Sequence, residues 1–299
     1  MPAMFDLLAL ASSRTVIVDG AMGTQLQLAG LGLGECGSAW NLDHPERLTA
    51  IHAAYVEAGC DAVITNSFGA NRWVLGRYGL DGRVEEVNRS AAQIARRAAG
   101  DGTCVLGDVG PCGGLLPPLG AIDPGELLEE FTRQARALLD GGADGIIIET
   151  MTAVEEVTIA VRAARAAAAP FVIASLAFDH LPNGLMRTMM GVAPERAAQA
   201  ALEAGADIVG ANCGTSMTTG DFARVVEAIR RVTDRPVIVQ ANAGTPELID
   251  GRAVYNLPPE ALADGMAEVV AAGARLVGGC CGTTPAHIAA LARRFKAGA

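Results

Sequence analysis

Apolar runs of strand length alternate along the chain with longer segments of helical periodicity. The runs are Thr15–Val18, Ala62–Thr65, Cys104–Gly107, Gly145–Glu149, Phe171–Leu176, Ile208–Ala211, Val237–Gln240 and Leu276–Gly279. They are rich in Val and Ile and do not alternate with polar residues, as parallel strands buried on both faces require. Helical patterns follow each run: Pro45–Ala58, Arg83–Ala99, Pro124–Leu139, Ala153–Ala168, Pro194–Ala204, Gly220–Val232, Pro258–Ala272 and Pro285–Phe295. Several open with Pro in the first turn after Asp, His or Thr, which is good helix-start chemistry. Eight strand–helix units predict an α/β fold, a (β/α)8 TIM barrel, as one domain over residues 1–299. A doubly wound open sheet is the alternative.

A weak repeat supports the eight units. Ala58–Val63, Gly141–Ile146, Ala204–Val209 and Ala272–Val277 look alike, each a helix end, a glycine cap and a strand start. No Ser- or Pro-rich linker divides the chain. Three stretches lack periodicity: Gly20–His44, Asp179–Gly191 and Ala243–Leu257. They follow the first, fifth and seventh strands, so in a barrel all three shape the catalytic rim.

Composition narrows the function classes. With 51% hydrophobic and 19% charged residues, the chain is not a disordered one. The net charge of −10 argues against a nucleic-acid surface, which needs clustered Lys and Arg. Lys296 is the one lysine, so no interior amine is present for Schiff-base chemistry. No apolar run reaches the ~18 residues of a membrane span. Met1–Leu10 carries Asp6 and no basic start, a poor signal peptide. Seven cysteines in a chain of this size point to a reducing compartment, and the expected location is cytoplasmic.

Three of those cysteines stand out. Cys213 ends the sixth strand, and Cys280 and Cys281 end the eighth, where a barrel concentrates catalytic groups. Thiolates favour zinc, and three protein ligands leave a fourth tetrahedral position open. The alternative is a set of buried apolar cysteines or a vicinal disulfide. Cys112, after the third strand, also lies on the rim and is a rival fourth ligand. Cys36, Cys60 and Cys104 read as loop, helix-cap and core positions. The four histidines, His44, His52, His180 and His287, fall in loops or helices, which argues against a His-rich metal site. Trp40 and Trp73 are too few for an aromatic cage, and Met189-Met190 reads as rim packing.

Six segments in chain order carry a resemblance over nearly the whole sequence. They are Asp19-Gly20-Ala21-Met22-Gly23-Thr24, Thr65-Asn66-Ser67-Phe68-Gly69-Ala70, Gly107-Asp108-Val109-Gly110-Pro111, Glu149-Thr150-Met151, Gly210-Ala211-Asn212-Cys213 and Gly278-Gly279-Cys280-Cys281-Gly282-Thr283-Thr284-Pro285. Together they resemble the homocysteine S-methyltransferase family, most of all the homocysteine-binding barrel of cobalamin-dependent methionine synthases. The Gly-Gly-Cys-Cys-Gly and Asn-Cys motifs are the specific ones. Gln240-Ala241-Asn242-Ala243-Gly244 looks like the Pro-Asn-Ala-Gly segment of that branch, with Ala241 in place of the proline. The resemblance implies a barrel, a three-cysteine Zn2+ site of Cys213, Cys280 and Cys281, and methyl transfer to the thiol of homocysteine, giving methionine.

The chemistry suits those residues. A free thiol has a pKa of about 8.5, and binding to zinc deprotonates it. Three cysteine thiolates leave the complex rich in negative charge, so the substrate sulfur stays nucleophilic toward a methyl group. An amino-acid substrate also needs handles. The resemblance assigns its ammonium to Glu149 and Asp19; a turn cap for Asp19 and a helix cap for Glu149 are the plain alternatives. The backbone N–H groups of Ala21, Met22 and Gly23 form a candidate anion nest for the carboxylate. Asn242 is the expected fourth zinc ligand without substrate, as resembling enzymes suggest, whereas Asn66 and Asp108 read as supporting or structural.

The methyl donor stays open. The chain has no Asp-x-His-x-x-Gly corrinoid motif and no folate domain after the barrel, so it is not expected to be a complete cobalamin methionine synthase. Candidate donors are methylcobalamin on a separate corrinoid protein, S-methylmethionine, S-adenosylmethionine and a betaine-type compound. Two other readings are a methyltransferase for a different thiol and a subunit that only docks a corrinoid protein.

Overall fold

A computed structural model describes residues 5–249 and 252–296. Residues 1–4 of the Met1–Leu10 segment, residues 250 and 251 of the seventh loop, and the last three residues of the 1–299 range lie outside them. Eight parallel strands form one sheet: β1 (Val16–Ile17), β2 (Ala62–Ile64), β3 (Cys104–Val109), β4 (Gly145–Met151), β5 (Val172–Leu176), β6 (Ile208–Asn212), β7 (Val237–Ala241) and β8 (Leu276–Gly279). Each pairs with its neighbour in sequence, and β1 pairs with β8. A parallel bridge between Val18 and Ala62 joins β1 to β2 and closes the ring. The fold is the expected (β/α)8 barrel and not an open sheet.

The unbroken apolar runs follow from two cores. Val16, Val18, Ile64, Leu106, Ile147, Ile173, Ile208, Ile238 and Leu276 fill the barrel interior. Their neighbours Ile17, Val63, Val105, Ile146, Ile148, Val172, Val209, Val239 and Val277 pack outward on the helices. Each strand therefore buries both faces, as all-parallel sheets do. The interior cluster also takes Leu7 and Ala11 from a short helix, Leu7–Ser13, capped by Asp6. The sequence reading missed this plug, because seven residues are too few to show a helical period. Burying Leu7 fully is worth about 1.5–3 kcal/mol.

The surrounding helices are α1 (Pro45–Glu57), α2 (Val84–Ala99), α3 (Pro124–Asp140), α4 (Val154–Ala166), α5 (Pro194–Ala204), α6 (Thr219–Arg230), α7 (Pro259–Ala271) and α8 (Pro285–Lys296). Their starts carry the chemistry that the sequence announces. Asp123 accepts from Gly125 and Glu126 N–H at the start of α3, and Thr218 and Asp221 form a capping box on α6. On α6, Phe222, Val225, Val226 and Ile229 make the buried stripe at i, i+3, i+4 and i+7. No helix among the described residues is long and apolar enough to cross a membrane.

The four-fold repeat has a role at the bottom of the barrel. Asp61 accepts from Ile17 N–H (2.9 Å), Asp144 from Val105 N–H (2.8 Å) and Asp207 from Val172 N–H (2.8 Å). Arg14, Arg96 and Arg165 pair with them in turn. Each aspartate thus ties the start of an even strand to the strand before it. Arg275 stands in the fourth copy. Conversely, the stretch Gly20–His44 is not irregular: it holds helices Met22–Leu28 and Trp40–Asp43, with Leu26 and Trp40 buried. The other two irregular segments each hold a two-stranded hairpin, 179–180 with 186–187 and Glu247–Ile249 with Arg252–Val254.

Candidate active site

The cysteine triad is assembled at the C-terminal end of neighbouring strands. Cys213 follows β6, Cys280 follows β8, and β7 lies between them. Cys213 N–H donates to Gln240 O (3.2 Å) and Cys280 N–H to Ala241 O (2.8 Å), so both chains stay stitched to the end of β7. The three Sγ atoms lie within 4.8 Å of one another, and Cys213 Sγ to Cys281 Sγ is 3.9 Å. Sulfurs on a tetrahedral zinc at about 2.3 Å stand about 3.8 Å apart, so the donor set fits the ion. All seven cysteines are free. Cys112 is buried away from the triad, with its thiol on Gly114 O (3.5 Å) and its N–H on Glu156. Hydrogen bonds from Cys213 and Cys280, with one from Tyr255, hold the Cys281 thiol down to about 3. Hydrogen bonds with Cys213 and Cys281, followed by burial, push Cys280 well up.

Two local devices place these sulfurs. Cys213 and Thr150 both have positive φ, 57° and 60°, although neither is glycine. Such backbone persists only where its surroundings over-determine it. Here Asn212 does so: its Oδ1 accepts from Thr150 N–H (2.9 Å) and Ser175 Oγ (2.7 Å), and its Nδ2 donates to Thr150 Oγ1 (2.7 Å). At the other strand, Thr283 Oγ1 donates to Cys280 O (2.7 Å) and accepts from Ala21 N–H (3.0 Å), locking β8 to the loop after β1. Gly282, at φ 80°, has no room for a side chain, because a Cβ there would lie 2.2 Å from the Tyr255 ring. Sequence reading named neither Asn212 as a tie nor Tyr255. The Asn-Cys motif and the invasive glycine were the available signals, but only tertiary contact gives them partners.

In front of the triad lies a cavity of about 380 Å³. Gly20–Thr24, Thr65–Gly69, Cys36, Asp108, Glu149, Thr150 and Gln240 line it together with all three cysteines. No Lys, Arg or His lines it among the described residues. Glu149 is not a helix cap: it sits within β4, 3.4 Å from Gln240 Nε2, while α4 begins at Val154 with Ala153 as its N-cap. Burial pushes its carboxyl up to about 7, with Gln240 pulling it down and Cys281 adding to the rise. Asp19 is not a turn cap either, since its Oδ2 accepts from Ile64 N–H (2.9 Å) on the neighbouring strand. It is 1% exposed, its Oδ1 has no partner, and it stands behind the cavity wall. Burial also drives its carboxyl well up, against the Ile64 hydrogen bond.

Other expected residues fall as follows. Ala21 N–H is already taken by Thr283, which leaves Met22 and Gly23 as unpaired donors in the first turn of Met22–Leu28. Asn242 follows β7, donates to Gly214 O (2.8 Å), and keeps a buried Oδ1 without a partner. Asn66 lines the cavity, and its amide holds Gly37 O and Asn41. Met189 does not pack the rim but is 76% exposed, beside an apolar groove with Leu115 and Leu119. Asp108 also lines the cavity.

The model of the family described as homocysteine S-methyltransferase matches residues 16–295. The chain belongs to the homocysteine S-methyltransferase family. Within it, methionine synthase of Mycobacterium tuberculosis (strain ATCC 25618 / H37Rv) is 39% identical over 297 residues, covering 95% of this chain and 25% of that protein. Methionine synthase of Mycobacterium leprae (strain TN) is 38% identical over 300 residues, covering 95% and 24%. The chain thus spans about a quarter of the length of these curated relatives. Among solved structures of the family, the metallated homocysteine methyltransferase MmuM from Escherichia coli superposes with a TM-score of 0.78 at 26% identity, covering 96% of this chain and 99% of that one. The carboxyl transferase domain of Rhizobium etli pyruvate carboxylase, at 14% identity and a TM-score of 0.53, shares the fold alone.

Proposed function

We propose that residues 1–299 form one homocysteine-binding barrel domain that moves a methyl group onto the homocysteine sulfur and yields methionine. The observation that carries this reading is the cysteine triad, at zinc-binding separations, opening onto a cavity that also contains Glu149. Cys213, Cys280 and Cys281 would hold Zn2+, with Asn242 as the fourth ligand before substrate arrives. When bound, the ion supplies the acidity that turns a thiol into a nucleophilic thiolate at neutral pH. The chain's own residues do the rest. Glu149 accepts from the substrate ammonium, and Asp19 adds negative charge from behind the wall. Met22 and Gly23 N–H, beside Ala21, receive the carboxylate. Seven free cysteines suit the reducing conditions of a cytoplasm.

The test is methionine formation from homocysteine by the zinc-loaded protein against a panel of donors. The panel holds a methylcobalamin-carrying corrinoid protein, S-methylmethionine, S-adenosylmethionine and betaine. Methionine is expected with at least one donor and is expected to vanish in Cys280→Ala. No methionine with any donor, or equal methylation of thiols lacking the amino group, rejects the reading.

A further inference from the structure

We propose that Asn212 is a positioning residue of the cysteine site, whose side-chain N–H donates to the Cys280 sulfur and takes up part of the negative charge that three thiolates place on a metal. The inference rests on the zinc reading above. Ile208 faces the barrel interior, so Asn212, four residues later on β6, faces it as well. The alternation of a strand would turn Cys213 the other way. Its left-handed φ of 57° breaks that alternation, and Cys213 still lines the cavity.

The donors and acceptors of the amide assign the contact. Asn212 is fully buried. The backbone N–H of Thr150 can only donate, so the atom 2.9 Å from it is the amide oxygen, and Ser175 Oγ donates to that same oxygen at 2.7 Å. The orientation of the side chain is thereby fixed. Nδ2 must point the other way, toward Thr150 Oγ1 (2.7 Å) and Cys280 Sγ (4.0 Å). An amide nitrogen carries two N–H donors. Thr150 Oγ1 takes one, and Cys280 Sγ is the acceptor within reach of the other. A buried donor left unpaired is costly. Hydrogen bonds to ionised acceptors are shorter and stronger than neutral ones, so this contact tightens when the sulfur becomes a thiolate. One side chain on β6 thus joins β4 through Thr150, β5 through Ser175 and the end of β8 through Cys280. The first two partners hold the amide still, and the third makes use of that rigidity.

The experiment uses the full chain loaded with cobalt(II) or with zinc. Wild type is compared with Asn212→Asp, Asn212→Leu and Ser175→Ala, with Tm recorded for each. Asn212→Asp keeps the shape and the oxygen acceptor but loses both N–H donors. Asn212→Leu keeps only the bulk. Ser175→Ala removes one bond to the amide oxygen and leaves the sulfur contact in place. Both Asn212 variants should move the thiolate-to-cobalt charge-transfer band to longer wavelength, because a sulfur without its donor holds its electrons less tightly. They should also weaken zinc about ten- to a hundredfold in chelator competition, the range for removing a partner of a metal ligand. Ser175→Ala should lower Tm while keeping the band in place and zinc affinity within about twofold. A band that stays put in both Asn212 variants, a band that moves as far in Ser175→Ala, or unchanged zinc affinity overturns the proposal. Wild type decides the matter if the Asn212 variants do not fold. Adding zinc should move one Asn212 side-chain amide proton downfield in the NMR spectrum and slow its exchange, and two unmoved protons overturn the proposal. Failure of the zinc reading looks different: wild type would then bind neither ion, or its cobalt spectrum would carry no thiolate band, and the proposal falls with it.

Discussion

Replacing Glu149 by Gln should make the protein more stable and less able to bind its substrate, with the gain confined to neutral and alkaline pH. The carboxyl stands at about 7 in the folded chain against 4.5 when unperturbed. A raised folded-state value means that the native protein holds more protons than the unfolded chain between those two points. Stability therefore falls as pH rises through that window and stays low above it. Each pKa unit is worth about 1.4 kcal/mol, so the penalty reaches about 3 kcal/mol at most. Water in the cavity in front of Glu149 reduces it from there. Gln cannot ionise and nearly conserves volume, so it removes the penalty. At pH 8, Glu149→Gln should unfold roughly 5 °C above wild type, and near pH 4.5 the two should coincide. Thermal unfolding at a series of pH values, followed by circular dichroism, measures this. A stability difference independent of pH, or a variant less stable than wild type at pH 8, would refute the reasoning. It would show that Glu149 is paired in the folded protein and is not waiting for a cation.

Three further outcomes follow from the geometry. The reduced protein should hold about one zinc and Cys280→Ala should lose most of it; stoichiometric zinc in the Cys213→Ala/Cys280→Ala/Cys281→Ala variant would sink the site. Gly282→Ala drives a Cβ toward the Tyr255 ring at a positive φ, so it should cost about 1–3 kcal/mol in chemical denaturation and lower zinc retention by displacing Cys281; a silent substitution would disprove that packing. Asp144→Ala leaves Val105 N–H without its acceptor and Arg96 without its carboxylate partner at the opposite end of the barrel. It should cost about 1–3 kcal/mol while zinc content and homocysteine binding stay unchanged, and a loss of binding would contradict the separation of the two ends.

Periodicity and residue type carried the architecture. Eight apolar runs that do not alternate, each followed by a helical stripe, already required strands buried on both faces, and the barrel is the closed form of that pattern. The triad was equally legible, because a cysteine just past a strand end is delivered to the rim by the fold itself. Roles that depend on which oxygen is already occupied were not legible. Asp19 and Asp108 each follow a strand core of Val or Leu, and nothing local separates them. Cross-strand register decided the matter: Ile64 N–H consumes one Asp19 oxygen behind the wall, while Asp108 stands in the wall with an oxygen that nothing in the chain satisfies. The same holds for Tyr255 over Gly282, for Asn212 between three strands, and for the Leu7–Ser13 plug. Local sequence determines what a segment can become, because dihedral preference and hydrophobic period act over a few residues. Which donor meets which acceptor is set by strands far apart in the chain, and only closure of the barrel brings them within reach.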